Sequence, residues 1–472
     1  MLQKPIAQGK VMAIIKWLKK RCVEWSGMAF STASLGKNMN ILILTYGTRG
    51  DVQPYIALGQ GLKRVGHCVT VSTSSRFSET IESAGLHYAF MNDGMLTLLD
   101  APENQGVLED TNNIFQVVKR TLGLLKRIGP IQRSLADESW AAAQKSQPDI
   151  IVFHPKVFIA PDIAEKLGVP VVMALVVPGL VPTAEYPNMM LPRLKLGGWY
   201  NKLSYSFVNR LIGLSVAKHV RAWRKVNRLP KAKRFSLLQT TDGTSIPVIH
   251  GFSNLVLSRP DDWPQTASIC GYWHTEDVED YEPSPELSAF LSAGPPPVYV
   301  GFGSMTGRDP ERLARIVVEA LQGAGVRGIL STGWGAMKMK ALPESMIAVD
   351  QVPHSWLFSR VCGVVHHGGA GTTAAALLAG KPSIIIPFFG DQPFWGHRAH
   401  TLNAGSAPIP LKKLTVERLV AAIKAITTDQ NIIDHTAALG VNLREESGVE
   451  SAVAVIESLV DGPSEALQRT SR

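Results

Sequence analysis

The chain has 472 residues, 45% hydrophobic and 18% charged, with 41 glycines and 30 prolines. That balance excludes a disordered or fibrous chain and implies two or three globular domains. The formal net charge of +9 favours anionic partners, nucleotides or acidic membrane surfaces. No RNA-recognition signature or zinc-finger spacing accompanies it, so nucleic acid is not expected as a partner.

Cys22, Cys68, Cys270 and Cys362 are scattered, with no C-x-x-C pair. This is the usage of a reducing compartment and provides neither a disulfide framework nor a zinc site. The longest apolar stretch, Val169 to Pro182, is broken by prolines and too short to span a bilayer. The run Val11 to Ile15 is too short for a signal-peptide core. The expectation is a cytoplasmic protein, in peripheral contact with a membrane at most.

In chain order, residues 1–38 read as an extension. Val11, Ile14, Ile15, Leu18, Cys22 and Trp25 recur at helical spacing between lysines, so the segment is either a basic amphipathic helix or a disordered leader. Ile41 to Leu44 is a short apolar run suited to a buried parallel strand. A loop over Gly47 to Pro54 and a helix over Tyr55 to Val65 follow. Further strands are predicted at His67 to Ser72, Leu86 to Phe90, Asp149 to Phe153 and Val169 to Val177. Tyr200 to Arg228 reads as a long helix. It opens a basic cluster of Arg210, Lys218, Arg221, Arg224, Lys225, Arg228, Lys231, Lys233 and Arg234, which suits anionic lipid or is a solvated face. Pro247 to Leu257 is another strand region, and Tyr272 to Pro297, ending in three prolines, is the best linker.

The pattern then restarts. Val298 to Phe302, Arg327 to Thr332, Met346 to Val352, Gly363 to His366 and Pro382 to Phe389 read as strands, with helices from Pro310 to Gln322 and up to Leu378. Two βα-repeating halves imply α/β architecture with parallel sheets, and ligands then bind where the carboxyl ends of the strands face each other. The expected division is an acceptor-binding half over 39–280, a linker over 281–297, a nucleotide-binding half over 298–445 and a helix or tail over 446–472.

The segment Val364-Val365-His366-His367-Gly368-Gly369-Ala370-Gly371-Thr372-Thr373 is a strand ending in a glycine-rich turn that opens a helix. Free N–H groups at such a terminus attract phosphate, and a histidine at the lip adds a donor. A glycine turn alone is weak, since it also serves as a tight structural turn. Its neighbour Pro387-Phe388-Phe389-Gly390-Asp391-Gln392-Pro393-Phe394-Trp395-Gly396 places an acid and an amide at the end of a buried strand, suited to vicinal sugar hydroxyls. Asp261-Asp262 has no phosphate loop beside it, and no Asp-x-Asp occurs in the second half, so no metal is expected. His87, His154 and His219 read as structural or surface groups. The apolar segment Phe153 to Pro192, with Met189 and Met190, suits either a flat apolar ligand or plain core packing.

The block Val352 to Asn403 closely resembles the donor-binding signature of glycosyltransferase family 1, most of all the branch holding sterol 3-β-glucosyltransferases and bacterial macrolide, glycopeptide and rhamnosyl transferases. The resemblance covers residues 40–430. It implies the GT-B fold of two Rossmann-like domains and an inverting, metal-independent transfer needing no cofactor beyond a UDP-sugar co-substrate. It implies that His367, Gly369, Ala370, Gly371 and Thr372 hold the donor diphosphate and that Asp391 and Gln392 hold the donor sugar. Val352 then contacts the base through its main chain. Gly303 and Ser304 form a second phosphate loop, and Gly50 lines the same phosphates. Gln351 stands where plant members carry a base-stacking tryptophan, which leaves UDP and dTDP both open. Asp51 matches the family's general base in its aspartate form, with Arg49 keeping it ionised. It also suits a helix cap. The implied acceptor is a sterol. A carotenoid, polyketide, glycopeptide or hydroxy-fatty acid is the alternative. A nucleotide-sugar 2-epimerase and a non-catalytic binding module are the rivals from other classes.

Overall fold

Asn40–Leu44 forms strand β1, and its side chains alternate between two cores, Leu42 and Leu44 on one face and Ile41 and Ile43 on the other. Burial on both faces is why the sequence shows an unbroken apolar run rather than an alternation. The strand pairs in parallel with β2 (Cys68–Ser74) on one side and β4 (Ile150–Phe153) on the other. With β3 (His87–Met91), β5 (Val171–Leu175), β6 (Val248–His250) and β7 (Ala267–Ile269) it completes a seven-stranded parallel sheet of order β3-β2-β1-β4-β5-β6-β7. The second half repeats the plan. Strands β8 (Val298–Gly301), β9 (Gly328–Ser331), β10 (Met346–Val349), β11 (Gly363–His366) and β12 (Ser383–Ile385) form a parallel sheet of order β10-β9-β8-β11-β12. The structure is a computed structural model and describes residues 38–100, 114–232, 236–274, 281–303, 309–334 and 342–461.

Each sheet reverses its winding once, between β1 and β4 in the first and between β8 and β11 in the second. Crevices open at such switch points, beyond the carboxyl ends of the strands. The loops that leave β1, β4, β8 and β11 are therefore the places to look for a site.

Several elements differ from the sequence expectation. The first helix spans Arg49–Arg64, so the predicted loop over Gly47 to Pro54 is mostly helix, with Pro54 inside it. A proline there removes the N–H that would bond the Gly50 carbonyl. The turn is tied instead by the Asp51 carboxylate accepting from the Thr48 N–H at 2.9 Å. Strand β7 escaped sequence reading because three residues carry no measurable period. A 33-residue helix, Ile114–Ser146, also went unread. In the stretch 281–297 a helix, Pro285–Ser292, packs Leu287 against Tyr299 and Ile329 of the second sheet.

The last described helix, Gly448–Asp461, leaves the second half and returns to the first. Val449, Ala452, Val453 and Ile456 enter the core beneath β1. The approach is so close that a Cβ on Gly61 would lie 2.1 Å from Val449 Cγ1.

Candidate active site

Asp51 lies in the first turn of helix Arg49–Arg64, just past the carboxyl end of β1. Its carboxylate curls back over Gly47, where a Cβ would sit 2.1 Å from Oδ2 and φ is +144°, so this position demands glycine. Oδ2 accepts from the Thr48 N–H at 2.9 Å and the Thr48 hydroxyl at 3.2 Å. Oδ1 faces Lys156 Nζ at 2.8 Å and His154 Nε2 at 3.5 Å. His154 and Lys156 leave the end of β4, so the β1–β4 pairing is what joins residues about a hundred positions apart in sequence.

Burial pushes the Asp51 carboxyl up, but the Lys156 ammonium and the donors around it outweigh burial and hold it below its ordinary value. Burial keeps His154 neutral, with its pKa lowered to about 4. Its Nδ1 accepts the Lys156 N–H at 3.2 Å, so the ring proton resides on Nε2 and points at Asp51. Two sequence expectations are corrected here. His154 is part of the Asp51 cluster. Arg49 is not the cation beside Asp51, because residues two apart on a helix do not share a face, and its Nε donates to Gln53 Oε1 at 3.0 Å.

In the second half, β11 ends at His366, and helix Ala370–Leu378 begins four residues on. Gly369 is the N-cap and offers no side-chain cap, while intrahelical bonding starts with the Thr373 N–H to the Gly369 carbonyl. The amides of Ala370, Gly371 and Thr372 thus form a helix N-terminus of positive potential. Gly368 has φ +91° and abuts Ile385 and Gln392. A Cβ on Gly369 would meet His367 Nε2 at 2.6 Å, and one on Gly303, φ +60°, would meet the same ring at 3.7 Å. His367 is therefore clasped between the loops leaving β8 and β11, with a buried Nδ1 that has no hydrogen-bond partner. Burial keeps its ring neutral, at about 4. Ser304 lies outside the described residues.

Asp391 Oδ2 accepts from Trp395 Nε1 at 2.9 Å, and its pKa is raised, by burial first and also by the Asp51 charge across the cleft. Gln392 is buried, and its Oε1 accepts from the N–H groups of Phe388 at 2.7 Å and Phe389 at 3.1 Å. Its carbonyl end shapes the loop, and only the amide end remains for a ligand. The Val352 N–H donates to the Asp350 carbonyl at 2.9 Å. His354 stacks on Phe358 at 4.5 Å and is held neutral, at about 4, by burial and then by the Arg49 charge.

The two clusters meet. A Cβ on Gly371 would find only the Cα of Gly50, 3.9 Å away, so the N-termini of the two helices confront each other across the cleft. Asp51 stands on one side and His367 on the other. Sequence reading missed Lys156 and His154. The available signal was their place directly after a buried strand that neighbours β1. Asp262 serves as a staple, accepting from the Thr183 hydroxyl at 2.7 Å and the Ala184 N–H at 2.9 Å and pairing with Lys202 at 3.0 Å. Among the described residues no cluster of His, Cys, Asp and Glu is arranged to hold a metal ion.

Residues 41–184 match the glycosyltransferase family 28 N-terminal domain, and residues 334–457 match the C-terminal domain of the erythromycin biosynthesis protein CIII-like family. Over 420 residues, 88% of this chain, the sequence is 34% identical to the sterol 3-beta-glucosyltransferase UGT80A2 of Arabidopsis thaliana. The chain spans 64% of that relative's length. The glycosyltransferase of kitacinnamycin superposes with a TM-score of 0.67 at 18% identity, covering 90% of this chain and 100% of its own. The glycosyltransferase VinC, solved in complex with dTDP, gives a TM-score of 0.61 at 16% identity over 89% of this chain and 99% of its own. The chain therefore has the GT-B glycosyltransferase fold, with two parallel-sheet halves meeting at a cleft. Within that class its sequence is similar to the sterol 3-beta-glucosyltransferases.

Proposed function

We propose that the protein transfers a hexose, glucose by the resemblance, from a UDP-sugar to the hydroxyl of a sterol, inverting the anomeric centre, with Asp51 as general base. The carrying observation is the confrontation of a carboxylate held ionised on one helix N-terminus with an uncharged cradle of amides on the other. An inverting displacement needs its base and its leaving group on opposite sides of the reacting carbon, and the two halves supply one each.

The acceptor oxygen attacks the anomeric carbon as its proton passes to Asp51. The bond from that carbon to the diphosphate oxygen breaks, and UDP leaves. The amides of Ala370, Gly371 and Thr372 with the His367 ring offset the charge growing on the diphosphate, a task that a helix N-terminus in a water-poor site does well. Gly303 with Ser304 and Gly50 line the same phosphates, and the Val352 carbonyl meets the base. Asp391 and the amide end of Gln392 hold the sugar. Asp51 must exchange one partner for the acceptor hydroxyl. Lys156, half-exposed on a flexible stem, is the partner free to swing away. The reading places the protein in the cytoplasm, collecting its apolar acceptor at an anionic membrane surface.

The test is UDP release and product mass with UDP-glucose and sitosterol. A sterol heavier by one hexose, with equimolar UDP and a β-anomeric linkage, is the expected result. A glycosylated polyketide or flavonoid with the sterol untouched would move the acceptor class. Donor consumed without acceptor would turn the reading to an epimerase, and donor binding without turnover to a binding module.

A further inference from the structure

Helix Gly198–Val226 buries one face through Tyr205, Val208, Val216, Val220 and Trp223. Its opposite face should be polar, as on an ordinary surface helix. Instead Trp199, Leu203, Phe207, Leu211 and Leu214 recur every three or four residues, each 52 to 66% exposed. They form a continuous stripe about 22 Å long at 1.5 Å per residue. Met190, Leu194 and Leu196, in the segment leading to the helix, extend it with exposures of 67, 51 and 49%. Scattered exposed apolar residues need no explanation, but a contiguous ridge of this size does.

Its surroundings identify the occupant. Beyond Leu214 the same face continues through Lys218, Arg221 and Lys225, all exposed. Residues 186–241 contain 12 lysines and arginines and no aspartate or glutamate. One member of the predicted basic cluster is withdrawn from this surface. Arg224 is buried, with Nη1 2.6 Å from Asp162 Oδ1 and both Nη atoms 2.8 Å from Glu165, so it anchors the helix to the body. A second copy of this chain docked on the ridge would oppose cation to cation. An anionic bilayer satisfies both features at once: acyl chains for the ridge, headgroups for the basic continuation. Among the described residues no helix is long and apolar enough to cross a membrane.

We infer that the exposed face of helix Gly198–Val226 lies in the interfacial plane of an anionic lipid bilayer, with Trp199 to Leu214 in the acyl boundary and Lys218, Arg221 and Lys225 on the headgroups. The inference rests on the sterol reading for its purpose, and it specifies the membrane contact of that reading as an apolar ridge that overlaps the start of the basic cluster at Arg210. The helix is stapled to the segment that leaves β5 towards the cleft. Asn201 Nδ2 donates to the Ala184 carbonyl at 2.7 Å, Asn209 Nδ2 to the Leu180 carbonyl at 2.9 Å, and Ser204 Oγ accepts the Asn188 N–H at 2.7 Å. Docking thus brings the segment that leaves β5 to the lipid.

The experiment is flotation of the full chain with vesicles of phosphatidylcholine containing phosphatidylserine, for the wild type and for Leu203→Gln/Phe207→Gln. These side chains face outward, so the variant should melt like the wild type. Its vesicle partitioning should fall roughly tenfold for each side chain lost from the bilayer. Lys218→Gln/Arg221→Gln should lose binding chiefly to the anionic vesicles. Glucosylation of sterol presented in cyclodextrin should be unchanged in both variants. Failure of the sterol reading would silence that last assay and leave the vesicle results standing. Equal partitioning of the wild type and the apolar variant would overturn the inference. So would a wild-type dimer that ignores vesicles and that the apolar variant turns into a monomer.

Discussion

Asp51 in the first half is surrounded by polar and charged side chains, Thr48, His154 and Lys156. His367 in the second half is surrounded by glycines and by rings held neutral. On the proposed function, the two environments answer different demands. A base must stay ionised without a ligand and must still surrender a partner when the acceptor arrives, so a mobile cation beside it is useful. A diphosphate brings its own charge. Backbone amides that need no reorganisation, and glycines that let the phosphates approach, serve it better than long cationic side chains. One half tunes a proton, and the other shapes a space.

The contrast can be broken most severely at Asp51. Asp51→Asn should lower turnover by about 10³-fold, within the usual range for removing a general base, while the affinity for UDP-glucose measured by calorimetry stays the same. Lost donor affinity would show that Asp51 belongs to the donor side. His367→Ala should give the complementary pattern, with kcat/KM for the donor reduced by about 10²-fold and the acceptor KM unmoved. Gly371→Leu should have a smaller but related effect, weakening UDP binding by filling the gap towards Gly50, whereas Gly371→Ala should be tolerated because 3.9 Å is ordinary contact.

Lys156→Met tests what keeps the Asp51 carboxylate ionised. Removing the cation lets burial raise the Asp51 pKa, so the acid limb of the rate profile should move to higher pH with little change in the neutral plateau. A limb that stays in place would remove Lys156 from the argument. The mildest expectation concerns stability. His154, His250, His354 and His367 are held to about 4 by burial. Between there and their ordinary value near 6.5 the unfolded chain binds more protons than the folded one. Stability is full above that window and falls on acidification through it. The midpoint of thermal unfolding should drop by several degrees from about pH 7 to about pH 5, and less so in His250→Phe, provided the ring still stacks on Trp263.

The two halves also differed in how far the sequence disclosed them. The second-half cradle is one contiguous run, His367 to Thr372, between a short apolar strand and the helix that its own glycines open, so its place could be read directly. The Asp51 cluster is assembled by sheet order. His154 and Lys156 become neighbours of Asp51 only once β4 is known to lie beside β1, and no local pattern states that. Pro54 misplaced the helix start because the tie that permits it, the Asp51 carboxylate on Thr48, is a side-chain contact. Arg224 read as surface charge because its acidic partners, Asp162 and Glu165, lie some sixty residues away. Local chemistry was legible, and chemistry made by tertiary pairing was not.

The returning helix Gly448–Asp461 has a mechanical consequence. The backbone crosses between the halves twice, once between β7 and β8 and again just before Gly448. On the first-half side the second crossing is secured by Ser253 on Glu446 at 2.8 Å and by Arg64 on Glu450 at 3.1 Å. The two crossings run side by side there: a Cβ on Gly271 would lie 2.9 Å from the Gly448 Cα, and one on Gly448 would lie 2.4 Å from the Tyr272 carbonyl oxygen. The halves are thus joined by one narrow double strap, and a larger side chain at either glycine would prise its two strands apart.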